Sequence, residues 1–300
     1  MAEAGSPIVV GFDGSPDSVG ALDWALAEAR LRGAPVTVCH VDQPSAGREP
    51  GTQDGAAGTR DDAQALAARA DAVLAESRRR AARLAADVEV RSEPAVGDAA
   101  EILVQAAHGA ELLVVGARGA GAGQGRLLGR VSAHVAQHAR CPVVVVRDGA
   151  VRLRDSAANR GRIVAGVDGP ADRGKVLSFA IQEAARRGGT VHVVHALDEA
   201  VLQAAPYAGE SELHRLHQAA QEAFSAQLAP HAGQHPDVAV SVKLIRGGPG
   251  PALVEASADA DLLVLGARGQ DPIGTALLGS TDQTVLYHAA CPLVIVHDER

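Results

Sequence analysis

Aromatic residues are nearly absent from this chain: one Trp, two Tyr and three Phe stand among 300 residues. Any core must therefore be built from Val, Leu, Ile and Ala. Base stacking on aromatic faces, the usual grip on unpaired nucleic acid, has almost nothing to work with. Positive charge is scarce too. Lys and Arg number 28 against 36 Asp and Glu, the formal charge is −8, and the longest basic block is Arg78-Arg79-Arg80. That balance argues against a nucleic-acid or anionic-membrane surface. No apolar run approaches the ~20 residues of a membrane-spanning helix. The opening segment, Met1 to Pro7, has no basic stretch backed by an apolar one, so a cytoplasmic protein is the expectation. Cys39, Cys141 and Cys291 are few and unclustered, and they read as buried reduced thiols rather than redox or metal groups.

Glycine is plentiful, and it recurs in a fixed order. Gly116-Ala117-Arg118-Gly119, nine residues and Gly129 return 150 positions later as Gly266-Ala267-Arg268-Gly269, nine residues and Gly279, followed by Ser280. Each copy follows a Leu/Val run that reads as a buried parallel strand, and each leads into a helical pattern. Glycines between a strand and a helix let the backbone approach a ligand and aim N–H groups at an anion, with the helix dipole assisting. Phosphate is the anion this arrangement usually serves.

The remainder of the chain repeats as well. Ile8 to Pro16 and Ile163 to Pro170 each carry an apolar strand ending at Asp-Gly, with Ser15 placed to cap the first helix and Pro16 at its first position. Leu22, Ala25, Leu26 and Ala29 form an apolar stripe at helical spacing, matched by Leu177, Ala180, Ile181 and Ala184. Second strands run over 35–41 and 190–196, long helices over 62–86 and 211–229, and third strands over 88–91 and 238–242. Third helices are expected near 98–109 and 250–259, and fifth strands at 142–146 and 292–296. The fold class is therefore α/β: two tandem doubly wound domains, each an open five-stranded, mainly parallel sheet flanked by helices. The expected bounds are 1–148 and 162–300, with a polar linker over 149–161.

Competing motifs are weaker. Gly169 to Val176 nearly spells a Walker A loop, but Val176 stands where a Mg²⁺-binding hydroxyl is needed and the first half has no equivalent. Gly119 to Gly125 fits G-x-G-x-x-G in no register. His134 and His138 sit i, i+4 on a helix without a recognisable third metal ligand, and no G-x-S-x-G elbow is present.

Asp after the first strand, Gly-x2-Gly-x9-Gly after the fourth and a Cys-Pro step before the fifth together resemble the universal stress protein family in its tandem form. The resemblance implies ATP binding without dedicated catalysis. It places Asp13 and Asp168 at the ribose or adenine edge, the backbones of Val41 and Ala196 at the base, and Gly116, Gly119, Gly129, Gly266, Gly269 and Gly279 along the phosphates. Both copies depart from the family pattern. Arg130 stands where the family has Ser or Thr, while Ser132 keeps a second hydroxyl; Ser280 fits, but Asp282 replaces the later hydroxyl. Arg130 is able to pair with phosphate oxygens, and Asp282 would repel them unless Mg²⁺ lay between. The two halves are thus expected to differ in affinity. The implied function is an adenine-nucleotide-binding stress-response or sensing module, in which occupancy orders segments 119–128 and 269–278 and alters a surface read by an unidentified protein partner. A slow ATP hydrolase or phosphotransferase remains open, with Asp13, Asp168 and Asp282 its sole candidates for base or metal ligand, as does a nucleotide-independent interaction module. The apolar fifth strands invite pairing across the halves, or in a homodimer.

Overall fold

The Val- and Leu-rich runs become strands because β-branched side chains suit a pleated sheet covered on both faces. The computed structural model describes residues 5–42, 60–120, 128–147, 161–167, 173–196, 235–245, 248–267 and 280–297, with a few isolated positions between 215 and 233. The chain divides into two compact units, Met1–Val151 and Arg152–Arg300.

In the first unit β1 (Ile8–Gly11), α1 (Pro16–Arg32), β2 (Val36–Asp42), α2 (Arg60–Leu84), β3 (Val90–Val96), α3 (Ala99–Ala106), β4 (Leu112–Gly116), α4 (Arg130–His138) and β5 (Val143–Val146) follow in turn. Their strand order is β3-β2-β1-β4-β5, parallel throughout, with Ile8 beside both Val36 and Leu112. The second unit holds β6 (Arg162–Val167), α5 (Arg173–Arg187), β7 (Thr190–Ala196), β8 (Ala239–Ile245), α6 (Pro249–Ser257), β9 (Leu262–Gly266), α7 (Ser280–His288) and β10 (Leu293–Val296). Its order, β10-β9-β6-β7-β8, repeats the arrangement of the first, again with parallel pairs. The helix expected over 211–229 lies largely outside the described residues.

Both expected helical stripes are core: Leu22, Ala25, Leu26 and Ala29, and Leu177, Ala180, Ile181 and Ala184, are all buried. Ser15 caps α1 by accepting from the Ser18 N–H, and Pro16 opens the helix. Val176 is buried in the core, so the Walker-like loop offers no side chain for a metal at that position. On α3, Leu103 is buried while Ile102 and Ala106 are only partly covered.

The third strands correct the sequence reading. The run expected at 88–91 is displaced to Val90–Val96, because the Val88 N–H donates to the Ala85 carbonyl (3.0 Å) and closes the turn after α2. β3 is the outer neighbour of β2, so its solvent face carries Arg91 and Glu93 and its Pro94 is tolerated where no donor is demanded. The matching strand likewise runs to Ile245 rather than ending at 242.

An unanticipated pair of buried carboxylates is also repeated. Glu28, 2% exposed, accepts from Arg32 Nε at 2.5 Å, and Glu183, fully buried, pairs with Arg186 and Arg187 one turn on. Removing either carboxylate would take an ion partner from a covered guanidinium, which is the costly way to break such a pair, although Arg32 would keep Glu111 at 3.5 Å.

The three cysteines are buried thiols. Burial pushes Cys39 and Cys141 up to about 11, with the Glu93 charge adding to the effect on Cys39. At neutral pH each then holds roughly 300-fold less thiolate than an ordinary thiol near 8.5. A thiol-reactive dye is accordingly expected to modify these two slowly in the native protein and rapidly in denaturant. Equal rates in both conditions would contradict this burial.

Candidate functional site

In a sheet ordered 3-2-1-4-5 the chain leaves β1 in one direction and β4 in the other, opening a crevice at the carboxyl ends of those strands. Asp13 follows β1 and the glycine motif follows β4, so both stand at that crevice. Asp13 Oδ1 accepts from the Ser15 N–H at 3.0 Å, and Oδ2 accepts from the Ala120 N–H at 2.7 Å. A Cβ added at Gly119 would lie 2.8 Å from Asp13 Oδ2, so this glycine is what lets the loop close on the carboxylate. Burial raises the Asp13 carboxyl, but hydrogen bonds from Ser15, Ala120 and Ser18 together outweigh it and hold the group below its usual range. A carboxylate has about four lone-pair positions; two are occupied by these backbone donors.

Because the folded-state pKa of Asp13 is depressed, its contribution to stability is present above the unfolded value near 3.8 and is lost as pH falls through the folded one. Asp13→Asn should therefore show a shallower loss of stability than the parent on acidification below about pH 4. Parallel urea-melt curves for the two proteins across that range would contradict the assignment.

A second carboxylate joins the loop to α1. Asp17, only 2% exposed in the first turn of α1, takes the Arg118 backbone N–H and Nε at Oδ2 (both 2.9 Å) and Arg118 Nη2 at Oδ1 (3.1 Å). Ser15 Oγ donates to the Arg118 carbonyl at 3.2 Å. Arg147, half-buried just past β5, has its pKa lowered first by burial and then by the Arg118 charge, with Asp17 acting in the opposite sense. Arg118, paired with Asp17, and Arg147 thus both stand beside the glycine loop, and the Asp17 charge acts on each. The sequence reading passed over both Asp17 and Arg118. A signal for them was present: Asp172 and Arg268 occupy the same repeat positions.

The motif glycines divide by role. The space beside Gly116 is taken by α1, since an added Cβ would sit 2.7 Å from Asp17 C and Ser18 N; its close approach is to that helix. Gly129 starts α4 without a side-chain cap, and its N–H donates to the Ala117 carbonyl at 2.7 Å. Ser132, 3% exposed, donates its hydroxyl proton to the Gly116 carbonyl at 2.6 Å, so that hydroxyl fastens α4 to β4. Ser132→Ala is expected to cost about 1–3 kcal/mol by stranding that carbonyl, read as a lower urea midpoint; an unchanged midpoint would count against the tie. Arg130, expected at the phosphates, is 74% exposed and lies 3.6 Å from Asp98, the cap of α3.

Val41 is in the part of β2 beyond its pairing with β1, opposite Ala95 of β3. One residue earlier, His40 Nδ1 lies 2.7 Å from the Phe12 carbonyl, and His195 repeats this contact at 2.7 Å with Val167. These histidines therefore brace neighbouring strand ends. His134 and His138 stack on each other along α4 with ring centroids 4.1 Å apart. Among the described residues, no group of three or more His, Cys, Asp or Glu side chains is placed to hold a metal.

In the second unit Gly266 ends β9, Ala196 ends β7 and Ser280 begins α7. Asp282 lies in the first turn of α7 and is 5% exposed, in the position Ser132 holds in the first unit. Asp168, Gly269 and Gly279 fall outside the described residues, as do most of 119–128 and all of 269–278, the segments expected to order. The Ala117 N–H to Val146 contact (2.7 Å) recurs as Ala267 to Val296 (2.8 Å), so both motifs leave the sheet in the same way. No helix among the described residues is long and apolar enough to cross a membrane.

Comparison with known proteins accords with this geometry. The profile described as "Universal stress protein family" matches residues 6–147 and again 159–297. The universal stress protein Rv2623 of Mycobacterium tuberculosis is similar at 30% identity over 304 residues, covering 97% of this chain and 96% of that one. A universal stress protein of Mycolicibacterium smegmatis is 30% identical over 296 residues, covering 96% of each. Among solved structures, a universal stress protein from Archaeoglobus fulgidus shares the fold with a TM-score of 0.68 at 18% identity, over 97% of this chain and 98% of that one. A universal stress protein solved in complex with cAMP aligns with 49% of this chain and 99% of its own, at 31% identity and a TM-score of 0.36. With two profile matches spanning most of its length and relatives aligned across both halves, the chain belongs to the universal stress protein family.

Proposed function

We propose that the first unit binds an adenine nucleotide at the β1/β4 crevice and that the chain works as a nucleotide-responsive regulatory module. The observation that carries this reading is the Asp13 carboxylate, held ionised at the crevice by Ser15 and Ala120. Sugar hydroxyls are the donors such a group would accept from. The guanidiniums of Arg118 and Arg147 beside the glycine loop suit the phosphates. In this reading Val41 lies beside the base, and Gly119 and Gly129 border the phosphate end. The second unit repeats these residue types with Asp168, Ala196, Gly266, Gly269, Gly279 and Ser280, and Asp282 would take part there through Mg²⁺.

Calorimetric titration of the full chain with Mg·ATP, cAMP and Mg·GTP tests this reading. Saturable binding of an adenine nucleotide in preference to GTP is the expected result. No heat with any nucleotide, confirmed by an unchanged thermal midpoint at millimolar ATP, would leave a nucleotide-independent interaction module instead. Sustained phosphate release lost on Asp13→Ala would move the reading to a hydrolase.

A further inference from the structure

The second unit holds a cleft of about 220 Å³ between α6 and the sheet formed by β6, β7 and β8, open to solvent at Ser241, Lys243, Glu255 and Asp259. It lies toward the opposite end of the strands from the glycine motif, because Arg162 is the first residue of β6 and Asp259 precedes β9. Arg162, His192, Ser241 and Lys243 form its strand wall, while Glu255 and Asp259 line the helix side. The volume exceeds the ~150 Å³ that admits a benzene-sized molecule.

Three observations make this a built site rather than loose packing. Arg162 Nε is buried and has no hydrogen-bond partner among the described residues, a condition that an acceptor on a ligand would relieve. His192 is fixed in place, with Nδ1 2.8 Å from Ser241 Oγ and Nε2 3.2 Å from Thr190 Oγ1. Burial first, and then the Arg162 charge, lower its pKa and keep it neutral at physiological pH. The residues are also peculiar to this unit. Along the repeat Ala252 stands where the first unit has Ile102, which opens space, and Lys243 stands where it has Glu93, which reverses the charge.

The charges are segregated: guanidinium and ammonium on the strand wall, carboxylates on the helix wall, where the carbonyl end of α6 adds partial negative charge. Between them Val194 and Ala256 offer an apolar surface. A guanidinium pairs best with a carboxylate, and carboxylates with an ammonium. We propose that this cleft is a second ligand site, independent of the nucleotide crevice, taking a small zwitterion of the free α-amino acid class with an aliphatic side chain.

The test is calorimetry on the full chain with L-valine and L-leucine, alongside isovalerate and isobutylamine as carboxylate-only and ammonium-only probes. Saturable binding of at least one amino acid is expected, with either half-probe about tenfold weaker or more. Arg162→Gln should weaken amino-acid binding at least about tenfold by removing a charge-assisted contact. Ala252→Ile should block it while leaving every charge in place, and ATP titrations should be unchanged in both variants. Circular dichroism melts establish that each variant is folded. Absence of amino-acid binding to the parent protein overturns the proposal, as does undiminished binding by both variants. Inorganic phosphate binding as tightly as the amino acids also overturns it, in favour of a plain anion site.

Discussion

Gly116→Val is expected to be the most damaging single substitution in the first unit, lowering stability by about 3 kcal/mol or more. An added Cβ would stand 2.7 Å from Asp17 C and Ser18 N and 2.9 Å from Asp17 Cβ. Those are chiefly backbone atoms of the first helical turn, so no side-chain rotation relieves the clash. α1 must move off β4, and in moving it pulls Asp17 away from Arg118, coupling a packing defect to loss of the loop anchor. A penalty of that size corresponds to a fall of roughly 6–12 °C in thermal midpoint for a domain of this class. Gly116→Ala should fall between the parent and Val. A Val variant melting within a degree of the parent would show that β4 and α1 are not in the contact described.

Asp13→Ala is the functional counterpart. A hydrogen bond to a charged group contributes about 1.5–3 kcal/mol, so loss of the Asp13 carboxylate should weaken nucleotide binding in the first unit by about ten- to a hundredfold. Two effects act together: the sugar loses its acceptor, and the Ala120 N–H loses the group that holds the loop over the crevice. Arg118→Gln separates them, because it removes positive charge while leaving Asp13 in place. That variant should weaken ATP more than adenosine, whereas Asp13→Ala should weaken both. If Asp13→Ala leaves the affinity for adenosine intact, Asp13 does not meet the sugar.

The tandem α/β architecture was legible because its signals were local: Val and Leu runs at strand length, helical stripes, and a glycine spacing that recurs. The bounds of β3 were not, since an edge strand carrying Arg91, Glu93 and Pro94 has no apolar run to mark its extent. Glu28 with Arg32, and Asp17 with Arg118, escaped for a related reason. A charged residue on a helix looks like solvent-facing surface until tertiary contacts bury it, and only the repeat, in Glu183 with Arg187 and in Asp172 with Arg268, marks these positions in one dimension. The partner of the Ser132 hydroxyl, the Gly116 carbonyl sixteen residues back, depends on how α4 lies on β4 and has no local signal. The nearness of Arg130 to Asp98, the cap of α3, likewise depends on how α3 and α4 lie together.

Hydrogen exchange across residues 116–132, measured with and without saturating Mg·ATP in the parent protein and in Asp13→Ala, tests the nucleotide reading most directly. Protection of the Gly119, Ala120 and Gly129 amides by ATP in the parent, and its loss in the variant at the same nucleotide concentration, is the predicted result. Exchange in that segment left unchanged by ATP in the parent would contradict it.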